Sequence, residues 1–226
     1  LRRDTTRMLG GASDDDVALA VGLAKALAAW QATRVSPRTP FDDFRDAVLR
    51  GNSVAAARYP LPAQRGLRLF IGRARCSVCH SGPGFSNGEF ADIGVPFFVP
   101  GGVDPGRHAG LTQLLASPYN RLGMHNDAGA RDPNAVLTRH LVREHRHFGE
   151  FRVPGLRQLR HTGPYMHDGS LPTLQSVVRH YSQLNEERLH ADGERILRRL
   201  DLSDEESADL LAFLESMSSV PLPAAR

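Results

Sequence analysis

Apolar positions recur at helical spacing in several stretches of this chain, separated by segments that are polar, glycine-rich or broken by proline. Val17, Ala20, Val21, Ala24, Leu27 and Ala28 mark the first stretch, which the spacing predicts as a helix over 13–34. Ser13 suits its N-cap, and Asp14, Asp15 and Asp16 suit the positive end of its dipole. Ser36-Pro37 should end it, because the residue before a proline is pushed out of the helical region. Trp30, near that end, reads as a packing residue rather than an electron relay. A short amphipathic piece follows from Phe41 to Leu49, then a turn at Gly51-Asn52. Leu61-Pro62-Ala63-Gln64 opens a second helix running through Gly66-Leu67-Arg68-Leu69-Phe70. Far downstream, Thr173 caps a helix whose inner face is Leu174, Val177, Val178 and Tyr181. Ser203 with Glu206 forms a capping box before a final helix that faces inward with Leu210, Leu211, Phe213, Leu214 and Met217. Strand patterns are nearly absent, and Gly101-Gly102, Asp104-Pro105-Gly106 and Asp132-Pro133-Asn134 predict loops with brief structure between Ile93 and Leu137. The expected fold is mainly α with long irregular loops, divided into a helical extension over 1–60 and a domain over 61–226.

The second helix runs into Cys76-Ser77-Val78-Cys79-His80, which holds the only two cysteines of the chain. Two cysteines separated by two residues and followed by histidine form the attachment signal of a c-type haem. Each thiol can form a thioether to a porphyrin vinyl group, and the adjacent imidazole is placed to bind iron. A zinc site would need further ligands at matching spacing, and no second cysteine pair exists. A redox dithiol would want a strand before it, where the pattern here is helical. With the motif in place, the closing helix packed across the helix that precedes it is the arrangement of class I cytochromes c. The loop from Ser81 to Gly88, rich in glycine, is expected to wrap the haem edge.

The chain has 226 residues, 41% of them hydrophobic, which allows a real core. No apolar run is long enough to span a membrane. The start at Leu1, with no signal-peptide pattern, is expected of a mature form or of a fragment. Covalent haem attachment normally takes place outside the cytoplasm, so a periplasmic setting is expected. Lys25 is the only lysine, the formal charge is +3, and no basic stripe is interleaved with aromatics, so nucleic-acid binding is not expected. His140, His145 and His147 cluster with Glu144, but the arginines among them would repel a cation, and a solvated surface is the better reading than a metal site.

The second axial position of the iron decides the chemistry. Spacing leaves Met124, Met166, His180 and Tyr181 as candidates. Met166 is the choice from general cytochrome reasoning, since thioether sulfur favours reduced iron and raises the potential. His180 falls one position off the apolar stripe of its helix and should point to solvent, whereas Tyr181 lies on the stripe.

Phe151-Arg152-Val153-Pro154-Gly155-Leu156-Arg157, continuing through Tyr165-Met166-His167-Asp168-Gly169-Ser170-Leu171-Pro172-Thr173-Leu174, resembles the C-terminal haem domain of the bacterial di-haem cytochrome c peroxidase and MauG superfamily. Ala24 to Trp30, followed by Val35-Ser36-Pro37, is similar to the helix leading into that domain. The likeness runs from about Asp14 to Met217, with the His-Asp-Gly segment its most specific part. In peroxidases of this superfamily a methionine fourteen residues after that histidine binds iron, and in the MauG branch a tyrosine does. Fourteen residues after His167 stands Tyr181, so the resemblance implies His80 and Tyr181 as axial ligands, with Cys76 and Cys79 attaching the porphyrin. A phenolate oxygen would stabilise ferric and higher-valent iron. The resemblance also implies calcium, held in part by the main-chain carbonyls of Thr162 and Pro164.

Members carry two CxxCH motifs and this chain carries one, so the resemblance implies a second haem c in an N-terminal haem domain or companion chain. The leading expectation is a MauG-like oxidoreductase that uses hydrogen peroxide to oxidise a partner protein by long-range electron transfer. The alternatives are a di-haem cytochrome c peroxidase fed by an electron-donor protein, and a monohaem electron-transfer cytochrome c.

Overall fold

The computed structural model describes residues 14–95, 98–99, 101–187, 192–193 and 195–219. Its helices are α1 (Asp14–Ala32), α2 (Pro40–Leu49), α3 (Ser53–Ala56), α4 (Leu61–Ile71), α5 (Arg107–Ala116), α6 (Pro133–Arg139), α7 (Leu174–Ser182) and α8 (Asp204–Ser216). The mainly α class expected from the pattern is what the chain adopts.

The core forms where α4 crosses α8. On α4, Ala63, Gly66 and Phe70 are buried at helical spacing, and α8 answers with Leu210, Phe213 and Leu214. Gly66 sets how closely the two helices approach: a Cβ there would stand 2.0 Å from the Asp209 carbonyl oxygen and 2.8 Å from the Phe213 Cβ. Four phenylalanines meet around the crossing. Phe213, fully buried, lies 5.0 Å from Phe70 and 5.6 Å from Phe41 between ring centroids, and Phe85 packs edge-on against Phe41 at 5.3 Å. Val178 of α7 and Met217 complete the cluster. At the rim of the crossing, Arg65 reaches from α4 to both carboxylate oxygens of Asp209, at 2.6 and 2.7 Å.

The segment before α4 is tied into the same body. Thr39 and Asp42 form the capping box of α2, and the buried Asp42 carboxylate also receives both terminal nitrogens of Arg157 at 2.9 Å each. That pairing pulls the Asp42 carboxyl down to about 2. Tyr59 stacks on Phe44 at 4.3 Å, and its hydroxyl meets the Ser216 hydroxyl at 2.6 Å. Residues 39–59 therefore pack against the helix that closes the domain.

Helix α1 behaves differently. None of its residues is buried; Leu23 is 61% exposed and Trp30 57% exposed. This corrects the expectation that Trp30 packs inward: the Arg34 guanidinium lies over its ring at 5.2 Å, and the ring otherwise faces outward. Periodicity records which face is apolar, not what covers it. Lys25 links α1 to Asp127 at 2.5 Å. Ser13, expected as the cap of this helix, lies outside the described residues.

Strands are short. β1 (Phe90–Ala91) pairs antiparallel with β4 (Phe151–Arg152), and β2 (Phe98–Val99) pairs with β3 (Gly102–Val103). The β1–β4 ladder holds the loop after His80 against the segment from Val153 to Arg157. Val153 N–H donates to the Glu89 carbonyl at 2.8 Å, and the Ser86 hydroxyl donates to the Val153 carbonyl at 2.7 Å. Among the described residues, no helix is long and apolar enough to cross a membrane.

Candidate haem-attachment site

Helix α4 ends at Ile71, and Arg75, at φ 54°, turns the chain into a single 3-10 turn, Cys76–Val78. The turn presents Cys76, Cys79 and His80 together: the His80 amide donates to the Cys76 carbonyl at 2.9 Å. The two cysteines are not joined in a disulfide, and burial pushes the Cys76 thiol up to about 11. The His80 imidazole is held by its Nδ1, which lies 3.0 Å from the Phe85 carbonyl. A carbonyl only accepts, so Nδ1 carries the proton toward Phe85; the Pro154 carbonyl is a second backbone partner of the ring. Burial also lowers the pKa of His80, which keeps the ring neutral, the form that binds a metal.

The Phe85 carbonyl is positioned by its own side chain. Phe85 adopts φ 54°, an uncommon backbone for a non-glycine residue, while its ring is locked in the core. Gly155 approaches the same loop so closely that a Cβ would stand 2.9 Å from the Gly84 carbonyl oxygen, and the Leu156 amide bonds that oxygen at 3.2 Å. Arg157 adds a bond from Nε to the Pro83 carbonyl at 2.6 Å. The distant segment 155–157 thus clamps the loop that aims the histidine.

Of the four candidates for the second axial position, Met124 is 90% exposed. His180 does not face solvent as its helical position predicts; it is half-buried, with Nε2 3.1 Å from the Ile93 carbonyl. Met166 is half-buried at φ 71°. Tyr181 is half-buried too, and desolvation, followed by electrostatic interaction with the thiols of Cys76 and Cys79, drives its phenol well above the usual tyrosine range. Thr162 and Pro164 are exposed at the surface, flanking a cis peptide at Gly163-Pro164. Calcium takes six to eight oxygens, of which these two main-chain carbonyls would be a part.

Two residues carry more here than their local sequence signals. Both ring nitrogens of His167 are buried with no hydrogen-bond partner among the described residues, and the ring stacks on Phe151 at 3.6 Å. His147, expected at a solvated surface with His140 and His145, is instead 3% exposed. The 3-10 turn His145–His147 rotates it inward, where its Nδ1 accepts the Glu144 amide at 3.1 Å, leaving the other two histidines outside. Among the described residues, no group of three or more histidine, cysteine or acidic side chains is disposed to hold a metal ion.

The donor set fits haem c: two thiols one turn apart, a neutral imidazole held through Nδ1, a half-buried phenol, and orphaned polar atoms on His167. The fold and this motif define a cytochrome c-like haem domain. No family model matches the chain. It is 35% identical over 198 residues to the cytochrome-c peroxidase IdrP1 of Denitromonas iodatirespirans, covering 85% of this chain and 48% of that protein. It is 34% identical over 196 residues to the methylamine utilization protein MauG of Methylorubrum extorquens, covering 87% of this chain and 44% of the relative. A crystal structure of a MauG-like protein associated with microbial copper homeostasis shares the fold, with a TM-score of 0.50, 24% identity, and coverage of 80% of this chain and 52% of that one. The chain belongs to the MauG and di-haem cytochrome c peroxidase superfamily. It spans about half the length of the curated relatives it matches.

Proposed function

We propose that this chain is the tyrosine-ligated haem domain of a periplasmic MauG-like di-haem oxidoreductase, which uses hydrogen peroxide to oxidise a partner protein by long-range electron transfer. The observation that supports this reading most directly is the half-buried Tyr181 phenol, whose proton is held by desolvation and by the thiols of the attachment motif. When bound, haem c supplies a redox-active iron. Cys76 and Cys79 would fix its porphyrin covalently, and His80 would offer Nε2 to the metal while the Phe85 carbonyl holds Nδ1–H. Tyr181 holds its proton at neutral pH, so its ligation to iron would release one proton. A phenolate oxygen in that position favours oxidised iron over reduced. The second haem c belongs in this reading to an N-terminal domain or companion chain, with calcium between the halves on the carbonyls of Thr162 and Pro164.

Replacing Tyr181 with Phe in the haem-loaded protein and recording the ferric absorption spectrum tests the assignment. A shift in the charge-transfer region is expected, and an unchanged spectrum sinks it. The resemblance to IdrP1 favours a second reading, a peroxidase reducing hydrogen peroxide with electrons from a donor protein. Rapid mixing of the complete two-haem protein with peroxide separates the two. A long-lived oxidised species that decays on adding a protein substrate supports the first; turnover only with a reduced donor protein supports the second.

A further inference from the structure

Charge is distributed unevenly along this chain. Residues 47–88 contain six arginines and no acidic residue, whereas the remaining residues hold 22 basic against 25 acidic side chains. Folding neutralises part of that run. Arg65 is bonded to Asp209 and lies 3.6 Å from Glu205; Arg73 is paired with Glu206 and bonds the Leu200 carbonyl at 2.8 Å; Arg50 lies 3.6 Å from Asp46. Arg58, exposed, sits beside Tyr59, toward the far end of α8. Arg68 and Arg75 are also exposed, and among the described residues neither guanidinium has an ion-pair or hydrogen-bond partner. Arg68 lines a shallow groove with Arg65, Leu69, Arg73, Glu206 and Asp209. Arg75 directly precedes Cys76. Two apolar side chains accompany them, Ile71 at the end of α4, 60% exposed, and Val78 inside the motif, 52% exposed.

We infer that this surface, with Arg68 and Arg75 around Ile71 and Val78, is the docking site for an acidic redox protein that exchanges electrons with the haem attached at Cys76 and Cys79. The inference rests on the proposed haem function. Thioether bonds would hold one porphyrin edge at Cys76 and Cys79, and Arg75 and Val78 adjoin these cysteines in the chain. Unpaired guanidiniums attract carboxylates over several ångströms and orient the approach, while a small apolar centre gives contact without tight binding. Three acids of α8, Glu205, Glu206 and Asp209, are already paired with Arg65 and Arg73, so they do not neutralise Arg68 or Arg75.

The experiment uses the complete haem-loaded protein and two small soluble redox proteins as probes, one acidic and one basic, with similar potentials. Electron-exchange rates are measured by stopped flow at increasing ionic strength. The acidic probe should react faster, its rate should fall with salt, and the pair Arg68→Glu and Arg75→Glu should slow it about tenfold while speeding the basic probe. Arg68→Glu alone, remote from the cysteines, should give part of the same change if the double variant fails to take up haem. Arg58→Glu, at the other end of α8, should leave both rates within about twofold. Equal responses to all three variants, salt-independent rates, or exchange with neither probe overturn the docking surface. A protein that exchanges with the acidic probe as described but does not react with peroxide leaves the surface standing and removes the proposed enzymatic function.

Discussion

Helices α1 and α4 are both rich in apolar residues, yet their fates differ. In α4 a glycine, Gly66, lets the α8 backbone come so near that Phe70 and Phe213 close into a dry cluster. In α1 the leucines Leu19, Leu23 and Leu27 lie on one face with Trp30, and all four remain exposed. Apolar surface stabilises a helix only when something removes it from water. What distinguishes the two is a partner of matching shape, supplied to α4 by a helix about 140 residues later in the chain.

That contrast is sharpest at Gly66. Gly66→Val should force α4 and α8 apart and cost about 3 kcal/mol or more, read as a collapse of the thermal transition in circular dichroism. A variant that melts within a few degrees of the parent would mean the crossing is not the keystone of the core. The next largest effect is expected at the Asp42–Arg157 pair. Asp42→Asn leaves Arg157 largely buried without its anion and should cost about 3 kcal/mol at pH 7. Because the folded carboxyl titrates near 2 and the unfolded one near 4, its contribution is present above pH 4 and fades as the pH falls toward 2. Denaturant unfolding of parent and variant should therefore differ most at neutral pH and converge near pH 2; a constant gap would remove the ionic explanation. The smallest effect belongs to α1, where Leu23→Glu should change the stability of this chain by no more than about 0.5 kcal/mol. A loss above 1 kcal/mol by the same titration would show that α1 is packed after all.

Local rules are legible in the sequence because they act over a few residues. Thr173 and Ser203 cap their helices as their side chains predict, each in a reciprocal capping box. Val178, Leu210, Phe213 and Met217 are buried as their periodicity predicts, because each helix has one face to hide. The Cys76–His80 motif stands out in the sequence because two thiols and an imidazole at that spacing serve few other purposes. What escaped depends on distance along the chain. Arg157 finds Asp42 across 115 residues, and no periodic pattern announces an ion pair. His147 sits in a run of charged residues that reads as surface, yet a single tight turn carries it inside, beside buried Glu150 and its partner Arg107. Trp30 misled because an apolar stripe states a need for cover without naming the cover.

The bond from His80 to the Phe85 carbonyl has a consequence for when the ligand is aimed. Phe85 holds its carbonyl in place with a ring wedged among Phe41, Phe70 and Phe213, so the imidazole direction is settled by the packing of four aromatic rings. The entropy of freezing that imidazole is charged to folding, before any iron is met. Trimming Phe41 or Phe70, neither of which has a donor atom to offer iron, would loosen the aim of the histidine as a worn bearing loosens a shaft.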